Sequence, residues 1–175
     1  GHSTNLLYLA IPSQGDLGIL SAPDLDKAAF CTQIGDLLYG DGETPERLQR
    51  YSDWLKASGL PNKWPLPTYL LFLCHPQEEI FVKPTVAKWF LQFVGSPVGY
   101  SSPPNAETYA AIRGAAHDLL PSLAPYGAHD MVDVQSFIWV AWAAGKGDGP
   151  TVMPRDKQTE FVNLFREFAQ TYVES

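Results

Sequence analysis

Cationic side chains are scarce in this chain: 12 Lys and Arg stand against 19 Asp and Glu, a formal net charge of −7. That shortage excludes a broad phosphate-tracking surface, which is built from clustered Lys and Arg. Cysteine is scarcer still. Cys31 and Cys74 are the only two, both in helix-like apolar surroundings. The expectation is a pair of buried, reduced thiols without a disulfide, a usage that suits a cytoplasmic protein. No Cys-x-x-Cys pair occurs, and the four histidines (His2, His75, His117, His129) are scattered, so neither a metal nor a cofactor is expected. Long apolar runs are also missing. Phe137 to Ala144 is the nearest approach, at less than half of the roughly 18 residues that a membrane span requires, and no signal peptide is visible.

Proline and glycine, by contrast, are plentiful, with 15 and 14 copies, and they predict many firm boundaries between short helices. A hydrophobic share of 45% with 18% charged residues suits a globular chain, and 175 residues suffice for one domain with a sizeable core. The opening Gly1-His2-Ser3 reads as a tag remnant. Residues 1–4 are therefore expected to be a linker and 5–175 a single helical accessory domain cut from a longer polypeptide.

Leu6 to Ile11 and Leu17 to Leu20 are strand-length apolar pieces separated by Pro12-Ser-Gln-Gly15, a pattern that predicts a small N-terminal β-hairpin. From Asp24 the spacing becomes helical, with Asp24 as N-cap and Gly40-Asp-Gly42 as the stop. Thr44-Pro45 starts a helix that Gly59 and Pro61 end. The most apolar region follows, with helices over Leu66–Cys74 and Thr85–Val94 and the loop His75 to Thr85 pinned between them. Gly95 to Pro104 is a long Pro/Ser loop. Asn105 caps a helix that runs to about Leu120 and is broken by Pro121 and Pro125. Asp130 caps another, to about Ala144, with Asp133 completing a weaker capping box. Pro154 to Val173 is an amphipathic helix with Phe161, Leu164, Phe165 and Phe168 on one face. The fold class is mostly α, a compact bundle of six or seven helices with the small hairpin at the front.

The search for catalytic constellations excludes more than it finds. His129-Asp130-x-x-Asp133 resembles a metal cluster, but carboxylates at a helix start favour the exposed N–H groups and the positive dipole end. Gly145-Lys-Gly-Asp-Gly lacks the Ser or Thr after Lys that a phosphate-binding P-loop needs. Arg113 and His117 share a helix at a spacing one short of a helical nuclease pattern. Cys74 and His75 point about 100° apart on a helix and form no dyad. Binding is better supported. Between Lys83 and Arg113 the only charged residues are Lys83, Lys88, Glu107 and Arg113, a local +2. Lys83 before Pro84-Thr85 offers a helix start with free N–H groups for an anion, set against a plain Thr85 cap. Trp54, Trp89, Trp139 and Trp142 sit at helical spacing and read as core. Trp64, beside Asn62-Lys63 and Pro65, and Tyr100, in the Pro/Ser loop, read as stacking platforms, with packing against the domain as the alternative.

Three phrases occur together: Trp64-Pro-Leu-Pro-Thr-Tyr-Leu-Leu-Phe-Leu, then His75-Pro-Gln-Glu-Glu-Ile-Phe-Val-Lys-Pro-Thr, then Asp130-Met-Val-Asp-Val-Gln-Ser-Phe-Ile-Trp. The set, spanning Leu37 to Trp142, resembles helical regions upstream of the AAA+ motor in McrB-like restriction and related prokaryotic defence proteins. The resemblance implies a non-catalytic recognition or adaptor module attached to a nucleotide-driven machine that restricts modified DNA. No Walker or nuclease motif is present, so only the accessory role is implied. The expectation is a module that contacts DNA through Trp64, Lys83, Thr85, Lys88, Tyr100 and Arg113. The alternatives are a protein-interaction module working through Phe161 to Phe168 or the Pro/Ser loop, and a sensor holding a small anion below the His75–Thr85 loop.

Overall fold

The computed structural model describes Leu7 and residues 15–145. Six α-helices follow one another: α1 Lys27–Tyr39, α2 Thr44–Ala57, α3 Pro65–Cys74, α4 Pro84–Phe93, α5 Ala106–Leu123 and α6 Met131–Ala144. The mostly helical expectation holds, and among the described residues there is no strand. The second arm of the anticipated hairpin is instead a 3-10 turn, Gly18–Ser21, closed by local bonds from Gly18 N to Gly15 O and from Leu20 N to Leu17 O. Its apolar character serves to bury Ile19. The first arm, apart from Leu7, and the amphipathic stretch Pro154 to Val173 lie outside the described residues.

Helix starts follow cap chemistry, with two shifts from the sequence reading. Asp26, not Asp24, caps α1, its carboxylate accepting from Ala28 N and Ala29 N at 3.0 Å each. Thr44 is the first residue of α2, preceded by Glu43, which makes no side-chain cap bond; its hydroxyl is used elsewhere. Asn105 caps α5 by accepting from Thr108 N at 2.9 Å. Asn105→Ala is expected to cost about 1 kcal/mol, read as a lower urea midpoint at unchanged m. α5 runs through Pro121 to Leu123 before a 3-10 turn at Ala124–Tyr126. Pro121 sits in the last turn, where the missing N–H removes one bond without interrupting the helix body. Gly127, at φ +93°, then reverses the chain.

Buried residues from every helix form one contiguous cluster, with Leu37, Leu48, Leu71 and Val134 at 0% exposure. α2 packs on α1 and α5, α3 on α1, and α4 on α5 and α6. The tight turn between α1 and α2 requires glycine. A Cβ at Gly40 would collide with the Asp36 carboxylate and carbonyl, and Gly42 has φ +89°. Arg47 gathers this turn, donating to Leu37 O, Gly40 O and Gly42 O. Both cysteines are exposed and free, a correction to the buried-thiol expectation: each falls on the outward side of its helix.

Candidate functional site

The segment between α3 and α4 is the meeting point of the fold. His75 Nε2 donates to Leu38 O (2.9 Å), at the end of α1. Met131 N, at the start of α6, donates to Pro76 O (2.9 Å). Arg113 Nε (3.1 Å) and His117 Nε2 (2.8 Å), one turn apart on α5, both donate to Glu78 O. Val82 N donates to Thr68 Oγ1 on α3 (3.1 Å), while that hydroxyl donates to Trp64 O. The segment's backbone thus bonds to three helices, α3, α5 and α6, and its His75 side chain to a fourth, α1, which is why it can be held without regular structure.

Glu79 lies at its centre, 1% exposed. Its Oε1 accepts from Thr44 Oγ1 at 2.7 Å and lies 3.3 Å from Arg113 Nε; its Oε2 accepts from Tyr109 OH at 2.8 Å. Arg47 Nη2 donates in turn to Thr44 Oγ1 at 2.8 Å, orienting that hydroxyl's proton toward the carboxylate. Burial first, and then the Glu79 charge, raise the Tyr109 hydroxyl well above the ordinary phenol value, so it remains the donor. A buried carboxylate is tolerated only when paired and hydrogen-bonded in this way. With both oxygens bonded by protein donors and the side chain 1% exposed, the cluster has the composition of a structural tie.

The residues expected to face a ligand are distributed differently. Trp64 is 1% exposed, and its Nε1 donates to Ser101 O at 3.0 Å. It is buried between Tyr100 and Tyr109, with ring centroids 6.1 and 6.4 Å away. It therefore cannot stack on a base. Tyr100 is half-buried against it, and burial raises its hydroxyl above the ordinary phenol value. Arg113 turns inward to Glu79 and the Glu78 carbonyl. Lys83 is the residue before α4, without a side-chain cap, and its Nζ lies 5.7 Å above the Trp139 ring. Thr85 sits inside α4 and caps nothing; it and Lys88 are exposed. The six residues do not converge on one surface. The space beneath the loop, where a small anion was expected, is filled by Glu79 and its partners, and the carboxylate there opposes a second negative charge.

The other cations among the described residues are also dispersed. Arg50 pairs with Asp36, Lys63 donates to Gly15 O, and Lys27, Lys56 and Lys88 stand exposed on three different helices. Arg113 and His117, which share a nuclease-like spacing, clamp a single carbonyl. The Asp130–Asp133 pair caps α6: Asp130 accepts from Val132 N and Asp133 N, and Asp133 from His129 N. No group of His, Cys, Asp and Glu suited to a metal occurs among the described residues, and no described helix is long and apolar enough to cross a membrane.

No family model, curated protein or solved structure matches this chain.

The surface that does stand out is where the C-terminal ends of α1 and α3 meet. Tyr39 is 71% exposed and Leu73 56%. The Tyr39 ring meets the His75 ring edge-on at 5.6 Å. A hydrogen bond with the neighbouring Cys74 raises the Tyr39 hydroxyl above the ordinary phenol value. Asp41 and Glu43 follow directly in the α1–α2 turn and are exposed. Sequence reading missed this surface, because Leu-Leu-Tyr39 reads as the end of a core stripe. A polar cleft of about 490 Å³ lies between α2 and the Pro/Ser loop, with Asp53, Lys56 and Glu107 among its walls.

Proposed function

We propose that this domain is a non-catalytic docking module that meets a protein partner at the joined ends of α1 and α3. The observation that carries the reading is the exposure of Tyr39 on a rigid mount. Tyrosine supplies large contact area at low entropic cost and is enriched among the residues that dominate interface energies. Leu73 adds apolar surface, while Asp41 and Glu43 give the surroundings an acidic character that favours a partner with a basic edge. The inward commitment of Trp64 and Arg113 supports this reading over DNA contact. The resemblance to regions upstream of McrB-like motors supplies the context we propose, an accessory piece of a restriction or defence assembly, with another subunit of that assembly as the partner.

The test is affinity capture from the source cells with the wild-type domain and with Tyr39→Ala/Leu73→Ala. Both side chains are exposed, so stability is expected to move by no more than about 0.5 kcal/mol per site. Partner affinity should fall about 30-fold or more, as a loss of 2 kcal/mol at an anchor residue implies. Capture that is indifferent to both substitutions, or sequence-selective DNA binding at about 150 mM salt, would overturn the docking assignment.

A further inference from the structure

α6 is apolar on nearly every side, and Asp133 is its one charged residue. Its inner face buries Val134, Phe137, Ile138 and Ala141 in the core. Its outer face carries Val132, Ser136, Trp139 and Ala143 at steps of four, three and four residues, all exposed. That alternation is the spacing of a seam along which two helices lie side by side. Ser136 does not make the seam polar, because its hydroxyl donates to Val132 O at 2.8 Å within the helix. Ser136 and Ala143 are small, so a second helix can approach closely there.

The two flanks of the seam differ. On one, Trp139 is 41% exposed, and Lys83 Nζ lies 5.7 Å above its ring. On the other, a cleft of about 200 Å³ opens between α6 and the turn after α5, with Leu123, Ala128, Asp133, Phe137 and Val140 among its walls. At 3.6 residues per turn, Trp139 and Asp133 stand about 120° apart around the helix, so the indole of one chain cannot reach that chain's own cleft. A two-fold axis along the seam exchanges the flanks and sets each Trp139 over the other copy's cleft. The heights agree, because a long helical side chain leans toward the helix start, here toward the level of the cleft walls Asp133 to Val140. The same axis brings each Lys83 to the flank that carries the other copy's Asp133, where opposite charges meet. Knob faces hollow and cation faces anion on one patch, the self-complementarity that an isologous pair needs.

We propose that two copies of this chain pair through α6, the helices parallel about a two-fold axis along the Val132–Ser136–Trp139–Ala143 seam, with each Trp139 seated in the other's cleft. This face is separate from the Tyr39–Leu73 docking surface, so either assignment can fail without the other.

Sedimentation equilibrium of the full chain across the micromolar range tests the pairing. A monomer–dimer equilibrium is expected, weakened about 30-fold or more by Trp139→Ala, as for an anchor residue, and unchanged by Tyr39→Ala/Leu73→Ala. Disulfide trapping reads the geometry. In a Cys31→Ser/Cys74→Ser background, Ser136→Cys and Ala143→Cys, each alone, should link two chains under mild oxidation, because a two-fold along the seam sets equal positions face to face. Lys56→Cys on α2 should stay open. A chain that is monomeric throughout, a dimer indifferent to Trp139→Ala, a dimer lost instead with Tyr39→Ala/Leu73→Ala, or seam cysteines that close no better than the α2 control would overturn the proposal.

Discussion

Replacing Glu79 by Ala is expected to cost the domain about 3–5 kcal/mol, the range for removing one partner of a buried ion pair. The substitution leaves Thr44 Oγ1, Tyr109 OH and Arg113 facing an empty space where each now donates to or pairs with the carboxylate. Unsatisfied buried donors add their own penalty of about 1–3 kcal/mol each when no water reaches them. Glu79→Gln keeps the shape and one acceptor but turns an NH₂ toward existing donors, so an intermediate loss of about 1–3 kcal/mol is expected. Urea denaturation at unchanged m reads both values. Combining Glu79→Ala with Arg113→Ala should cost less than the two single losses together, because the arginine no longer lacks a counter-charge. A Glu79→Ala loss below about 1 kcal/mol would show that the carboxylate is not the tie described above.

Trp64→Ala is expected to cost about 3–5 kcal/mol, as for other fully buried aromatics. Tyr100 and Tyr109 would border the vacated space, and the Ser101 carbonyl would lose its donor. The contrast with Trp139 sharpens the test. Trp139 is exposed, and Lys83 above its ring contributes about 0.5–1 kcal/mol at most, so Trp139→Ala should lie well below Trp64→Ala in a paired denaturation series. The reverse order would mean that the rings have exchanged roles.

That order is also the clearest measure of what was legible in the chain. Neighbours Asn62, Lys63 and Pro65 make Trp64 look like a loop residue. Its burial depends on the Pro/Ser loop folding back over it and on Tyr109, 45 positions away, and no local pattern encodes either. The other four tryptophans occupy helical spacing, yet none is as deeply buried as Trp64. Periodicity identifies a helix, but it does not say which side the rest of the fold will cover. Glu79 shows the same limit. Gln77-Glu78-Glu79 resembles a solvated polar loop, and its one signal is the apolar run Ile80-Phe81-Val82 that starts beside it. Features decided within a few residues were easier. Asn105 and Asp130 cap where their side chains can reach the next turn, and α3 and α4 begin with the prolines that pre-organise a helix start. The cap of α1 moved by two residues because Asp24 and Asp26 are chemically equivalent candidates.

The tether of residues 75–82 to helices from both halves of the chain has a practical corollary. Thr44 and Leu38 come from before the segment, and Tyr109, His117 and Met131 from after it. The domain consequently has no seam at its midpoint. Anyone dividing it into two reporter fragments, or grafting a foreign peptide into it, would do so in the exposed stretch around Gly99, where the backbone ends can part without severing the knot that joins one half to the other.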